Sequence, residues 1–160
     1  MVIIAAVSAF VGPKMAGSLT NMDLRTASKR IAASLRYARS QAVSETTTYV
    51  AVFDIDEGRL SIIPIDSEDE EEVRVNEAEF NSLQPPGKPK HYFFPENVRI
   101  KKAISADEEA TSGLFSMVFF ADGGSSGGTV ILMNKRGGFY SVTVDFVTGT
   151  VELGEGAQDA

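Results

Sequence analysis

The chain of 160 residues contains no cysteine, no tryptophan and one histidine. Without cysteine there is no disulfide, no thiolate nucleophile and no thiolate metal site. A zinc site at His91 would draw its other ligands from carboxylates, an uncommon donor set, so His91 reads as a surface residue beside a Pro-Gly-Lys loop. Also missing is an apolar run of the ~20 residues that a membrane-spanning helix needs. The opening run, residues 1–12, stops at Pro13-Lys14, and it lacks the charged n-region and small-residue cleavage site of a complete secretory signal.

Outside the first quarter of the chain basic charge is outweighed, nine basic residues against twenty-one acidic. The net charge is −7, yet up to Ser44 six basic residues (Lys14, Arg25, Lys29, Arg30, Arg36, Arg39) face only Asp23, a local balance of +5 that leaves −12 for the rest. A strongly acidic remainder is a poor non-specific binder of nucleic acid, because phosphate contacts need clustered Lys and Arg. No nucleic-acid partner is expected.

What is present begins with that first quarter. An exposed apolar helix carrying Ile3, Ile4, Val7, Phe10 and Val11 would aggregate. Either this run packs in the core or, the preferred reading, residues 1–18, with Pro13, are the remaining part of a longer membrane helix; the resemblance given below adds a filament core as its second setting. Pro13 lacks an amide and is expected to kink or interrupt the helix, with Thr20 or Asn21 capping a restart at Met22. Leu24, Ala27, Ile31, Leu35, Ala38 and Ala42 recur at three- and four-residue steps, which lines one face of a helix over about 21–44.

From Thr48 the period becomes that of strands. Tyr49-Val-Ala-Val-Phe53 and Leu60-Ser-Ile-Ile63 predict a hairpin, and the apolar character of both faces of the first strand makes it central. The acidic block 66–72 reads as a solvated loop; a calcium site is its functional alternative, but the EF-hand spacing and turn glycine are missing. Short extended pieces are expected around 92–94 and 98–102, with Asn97 in a turn that tolerates the left-handed conformation. Residues 105–113 read as loop, and the last third as sequential hairpins: 114–120, 129–133, 139–146 and 150–153. Alternation at Tyr140, Val142, Val144 and Phe146 predicts one buried face. Together these predict an α+β fold, a long N-terminal α-helix packed on an antiparallel β-sheet or two-sheet head, the amphipathic helix of about 21–44 and the strands forming one unit over 19–160.

No motif carries catalysis. The glycine-rich stretch Asp122, Gly123, Gly124, Ser125, Ser126, Gly127, Gly128 formally matches G-x-S-x-G, but a strand follows where a helix is required and no histidine lies downstream. It lacks the lysine of a phosphate-binding P-loop. It is read as a long hairpin tip and a candidate partner-contact loop. No cofactor, metal or catalytic residue is expected.

Several phrases, in order, resemble the GspH/FimT-type minor pilins, also called H-type pseudopilins of type II secretion. The first is the apolar segment ending Phe10-Val-Gly-Pro13, followed by Leu35-Arg-Tyr-Ala-Arg-Ser-Gln-Ala-Val43. The second is Val118-Phe-Phe-Ala-Asp-Gly-Gly-Ser-Ser-Gly-Gly-Thr-Val-Ile-Leu132 with the closing Val144-Asp-Phe-Val-Thr-Gly-Thr-Val151, similar to that family's "F-x-x-DG-xx-xGG" and "V-D-xx-TG-xV". Phe94-Pro-Glu-Asn-Val98 resembles its "LPxGV" turn, with Asn97 where glycine is usual. The resemblance implies a pilin-like fold, a single-pass anchor in the bacterial inner membrane with a periplasmic head, and assembly with other minor and major pseudopilins near a filament tip, with secreted cargo as a further partner. It implies no enzyme. The alternatives are a FimT-like minor type IV pilin involved in DNA uptake and a soluble β-rich binding module. The region 64–90 lies outside the resemblance.

Overall fold

The computed structural model describes residues 2–65, 80 and 88–156, with side chains from residue 19 onward. Among them, one long helix, α1 (Val2–Glu45), precedes nine strands. Helical backbone runs on through Gly12-Pro13 and through Gly17-Ser-Leu-Thr-Asn21, so the interruption expected at Pro13 and the capped restart at Met22 are not found. Extending a helix across weak formers costs less than nucleating a second one. The side chains of Ile3, Ile4, Val7, Phe10, Val11 and Pro13, assigned above to a membrane or filament core, lie outside those described. Among the described residues no helix is long and apolar enough to cross a membrane. The acidic block and the segments on to 79 and 81–87 are also outside the described residues.

Leu24, Ala27, Ile31, Leu35, Ala38 and Ala42 are all buried, and Ser28 and Ala32 join them. Each buried Leu or Ile contributes about 1.5–3 kcal/mol. The alanines let the helix backbone lie close to the strands, where a larger side chain would cost ~1–3 kcal/mol. Ser28 is accommodated because its hydroxyl donates to the Leu24 carbonyl one turn back, at 2.7 Å. The helix ends in a Schellman motif: Thr47 N–H donates to the Ala42 carbonyl (3.1 Å) and Thr46 takes the left-handed conformation at φ 52°.

The strands are β1 (Thr48–Asp54), β2 (Arg59–Ile65), β3 (Lys90–Phe93), β4 (Val98–Ile104), β5 (Glu109–Ala110), β6 (Leu114–Phe119), β7 (Gly128–Asn134), β8 (Phe139–Val144) and β9 (Val151–Glu155). They form two antiparallel sheets, ordered β3-β2-β1-β6 and β5-β4-β7-β8-β9. The helix packs on both. β1 lies inside its sheet with both faces covered: Tyr49, Ala51 and Phe53 enter the main core, while Val50 and Val52 join Ile63 and Val118 in a second cluster against which Phe80 packs.

Three expectations change. In the last third β7–β8 and β8–β9 pair as the expected hairpins, but β6 and β7 do not, because β6 returns to the first sheet beside β1 while β7 belongs to the second. Residues 105–113 contain β5, which places Ala110 in the core. β8 stops at Val144, so Phe146 is exposed and not part of the buried face. The Asp145 carboxylate accepts from Val147 N–H (2.9 Å) and Thr148 N–H (2.8 Å), and this turn ends the strand before the alternation does.

Candidate functional site: a joint at the end of the helix

Three of the quoted phrases, Leu35–Val43, Val118–Leu132 and Val144–Val151, meet at the C-terminal end of α1. Arg36 and Arg39 lie three residues apart on the helix flank and so project side by side. Arg39 Nε donates to the Gly123 carbonyl at 2.9 Å, and Arg36 Nη2 donates to the Val151 carbonyl at 2.9 Å. One arginine thus holds the glycine loop and the other the start of β9. Hydrogen bonds from a charged donor are each worth about 1.5–3 kcal/mol.

Gly149 makes the approach possible. Its φ is +65°, and a Cβ there would collide with the Gly123 carbonyl oxygen and stand 2.8 Å from Arg39 Nε. Only glycine meets both demands. The turn around it is closed by Asp145 N–H donating to the Thr150 carbonyl (2.9 Å) and by Gly149 N–H donating to the Asp145 carbonyl (3.0 Å). The bonds from Thr148 and Val147 hold the exposed Asp145 carboxyl below its ordinary pKa, the backbone bond of Thr148 most of all.

The loop 122–128 is a crossover between sheets and not a hairpin tip. Ser126 N–H donates to the Val118 carbonyl (2.9 Å) and Ser125 N–H to the Phe146 carbonyl (3.3 Å). The buried Ser125 hydroxyl accepts from Gly127 N–H at 2.7 Å. Asp122 caps the turn by accepting from Gly124 N–H at 2.8 Å. Of the seven loop residues Asp122 is exposed, Gly124, Ser126 and Gly128 are half-buried, and Gly123, Ser125 and Gly127 are buried. Ser125 and Ser126 are committed to backbone groups, which is structural work.

Around the loop lies an apolar rim that the sequence pattern did not reveal. Phe146 is 69% exposed, Val147 75% and Val43 48%. The Phe146 backbone lies against Gly127, the Val147 carbonyl near Gly124, and Val43 beside Gly123. The joint therefore holds two adjacent apolar side chains of the closing turn in solvent, next to an apolar residue of the helix. At the helix end, Tyr49 hydroxyl donates to the Glu45 carboxylate. Burial first, then that bond and the Glu45 charge, push the Tyr49 hydroxyl up to about 12.

The opposite part of the described helix is tied differently. Asn134 is buried; its Nδ2 donates to Asn21 Oδ1 (2.9 Å) and its Oδ1 accepts from Arg136 N–H (3.0 Å) and Gly138 N–H (2.9 Å). Asn97 Nδ2 donates to Asp23 Oδ2 at 2.7 Å. Among the described residues Thr46 is the non-glycine with positive φ, so Asn97 is not left-handed. What Asn97 supplies in place of glycine is a side chain that reaches the helix. His91 is exposed, with Nδ1 2.8 Å from Ser61 Oγ. Among the described residues no group of three or more acidic or histidine side chains is placed to hold a metal ion.

A family model described as "Type II transport protein GspH" matches residues 27–149. No curated protein matches the sequence. Among solved structures, the minor pseudopilin EpsH from the type II secretion system of Vibrio cholerae superposes with a TM-score of 0.59 at 14% identity, covering 88% of this chain and 99% of that one. The type IV minor pilin FimU of Pseudomonas aeruginosa superposes with a TM-score of 0.55 at 18% identity, covering 84% of this chain and 90% of that one. These likenesses show a pilin-type fold, one long helix on two antiparallel sheets.

Proposed function

The chain belongs to the GspH family, and from that premise we propose that it is a structural minor pseudopilin of a type II secretion pseudopilus, placed near the filament tip. Its head faces the periplasm, and the apolar start of α1 holds it in the bacterial inner membrane before extraction and in the filament core afterwards. The observation that carries this reading is the family match over 27–149, which includes Arg39, Gly123 and Gly149 of the joint. A helix satisfies its own backbone hydrogen bonds in lipid, so the same element serves both settings.

Within the head, the work is contact with other pseudopilins or with secreted cargo. The loop 122–128 contributes mainly by holding its neighbours: Phe146, Val147 and Val43 offer apolar surface beside the exposed Asp122. Exposed apolar residues clustered on a rigid frame are what protein interfaces use. The DNA-uptake alternative finds little support at the C-terminal end, where Glu152 and Glu155 are both exposed.

Deleting the gene in its host separates the two roles. Lost export of type II substrates, with twitching and DNA uptake intact, is the expected result. Lost twitching or transformation with intact export would overturn the assignment.

A further inference from the structure

A second feature lies on the flank of the helix, away from the joint. A cavity of about 410 Å³ opens between α1 and the β2–β3 edge, lined by Arg30, Ser34, Tyr37, Leu60, Ile62 and Lys90 among others. Its volume falls within the roughly 300–1,000 Å³ of ligand sites. Leu60 and Ile62 give it an apolar floor, and Tyr37 and Tyr92 give it aromatic walls. Two cations stand at these walls: the Lys90 ammonium lies 3.8 Å from the centre of the Tyr37 ring, and the Arg30 guanidinium 5.4 Å from that of Tyr92.

Neither cation has a carboxylate partner among the described residues, in a chain of net charge −7. The ring contacts are worth ~0.5–1 kcal/mol each at accessible sites. A carboxylate hydrogen-bonded to the same cations would add about 1.5–3 kcal/mol without displacing the rings. The wall on one side is β3, an edge strand paired only with β2 among the described residues. Edge strands accept extended segments.

We propose that this cavity binds an extended, acidic segment of a protein partner, with a carboxylate between Arg30 and Lys90 and an adjacent large apolar side chain on Leu60 and Ile62. Charge complementarity selects the occupant: the pocket is cationic at its mouth and apolar at its base. The proposal stands apart from the assembly role assigned to the joint, and either can fail without the other.

The test titrates the full chain with the peptide Ac-Val-Glu-Phe-Glu-Val-NH2, its counterpart with both Glu replaced by Lys, and sodium acetate, following the Tyr37 and Tyr92 ring resonances. The acidic peptide is expected to shift both with a dissociation constant on the order of 100 μM, while the lysine peptide and acetate leave them in place. Arg30→Met with Lys90→Met keeps the aliphatic stems and is expected to weaken binding at least ~10-fold, with unfolding still cooperative and its melting temperature lowered only by the two lost ring contacts. Absent shifts with the acidic peptide would overturn the proposal. So would equal binding by the double variant, equal binding of the lysine peptide, or saturation of the same shifts by acetate.

Discussion

Two regions of α1, its middle around residues 21–23 and its C-terminal end, are fastened by opposite means. At the C-terminal end, arginine side chains reach backbone carbonyls, Gly123 for Arg39 and Val151 for Arg36. In the middle, side chain meets side chain: Asn21 with Asn134, and Asp23 with Asn97. Backbone carbonyls are the same whatever the residue, so the first fastening depends on glycine admitting a close approach. The second depends on two specific side chains per bond, and its demand on the backbone is milder: a Cβ at Gly138 would stand 3.0 Å from Asn134 Nδ2. The C-terminal end is thus intolerant of added atoms, and the middle chiefly of lost ones.

Breaking the C-terminal fastening has the largest expected effect. Gly149→Ala adds a Cβ in a left-handed conformation against the Gly123 carbonyl and Arg39, and is expected to cost about 3 kcal/mol through strain and the lost charged bond. Urea denaturation measures it. If the three phrases are one joint, Arg39→Met adds little to Gly149→Ala: a double-mutant cycle is expected to show ~2 kcal/mol of coupling between them.

The middle fastening comes next. Asn134→Ala leaves the N–H groups of Arg136 and Gly138 and the side chain of Asn21 without their partner, and is expected to cost ~2 kcal/mol. Adding an atom there should matter less, in contrast to Gly149. Thr46→Gly sharpens the comparison in the stabilising direction. A β-branched residue sits at φ 52° in the helix cap, and glycine there is expected to gain about 1 kcal/mol, seen as a rise in melting temperature.

The smallest effect is acid titration of the closing turn. The folded pKa of Asp145 is lowered from 3.8, so its contribution is present above about that value and lost as pH falls through the folded one. Amide shifts of Val147 and Thr148 moving together below pH 3.8 are expected, with Asn134-centred amides unmoved.

The helix face, the first hairpin and most strand positions were legible because burial imposes a period that short-range sequence displays. Phe146 misled because alternation continues past Val144, while the Asp145 side chain captures two amides and ends the strand. The β6–β7 crossover was not legible because a strand, a glycine loop and another strand describe a hairpin and a change of sheet equally well. The Arg39–Gly123–Gly149 contact left a trace in the resemblance, as an arginine in one phrase and glycines in two others, without showing that they touch. The reach of Asn97 and Asn134 left none: an Asn in a turn or at the end of a strand reads the same whether or not it crosses the fold.

These differences bear on function because the glycine-dependent end is also where Phe146, Val147 and Val43 are exposed. A rigid backbone joint holds an apolar rim that no described core residue needs. We propose that this rim is an assembly surface and not part of what stabilises the head. Phe146→Ser combined with Val147→Ser, followed by immunoblot of sheared filaments and by thermal denaturation, separates the two. An unfolding free energy within ~0.5 kcal/mol of the parent is expected, with at least ~10-fold less subunit in the filament, about 1.4 kcal/mol of lost contact. Parental incorporation by the stable double variant would contradict it.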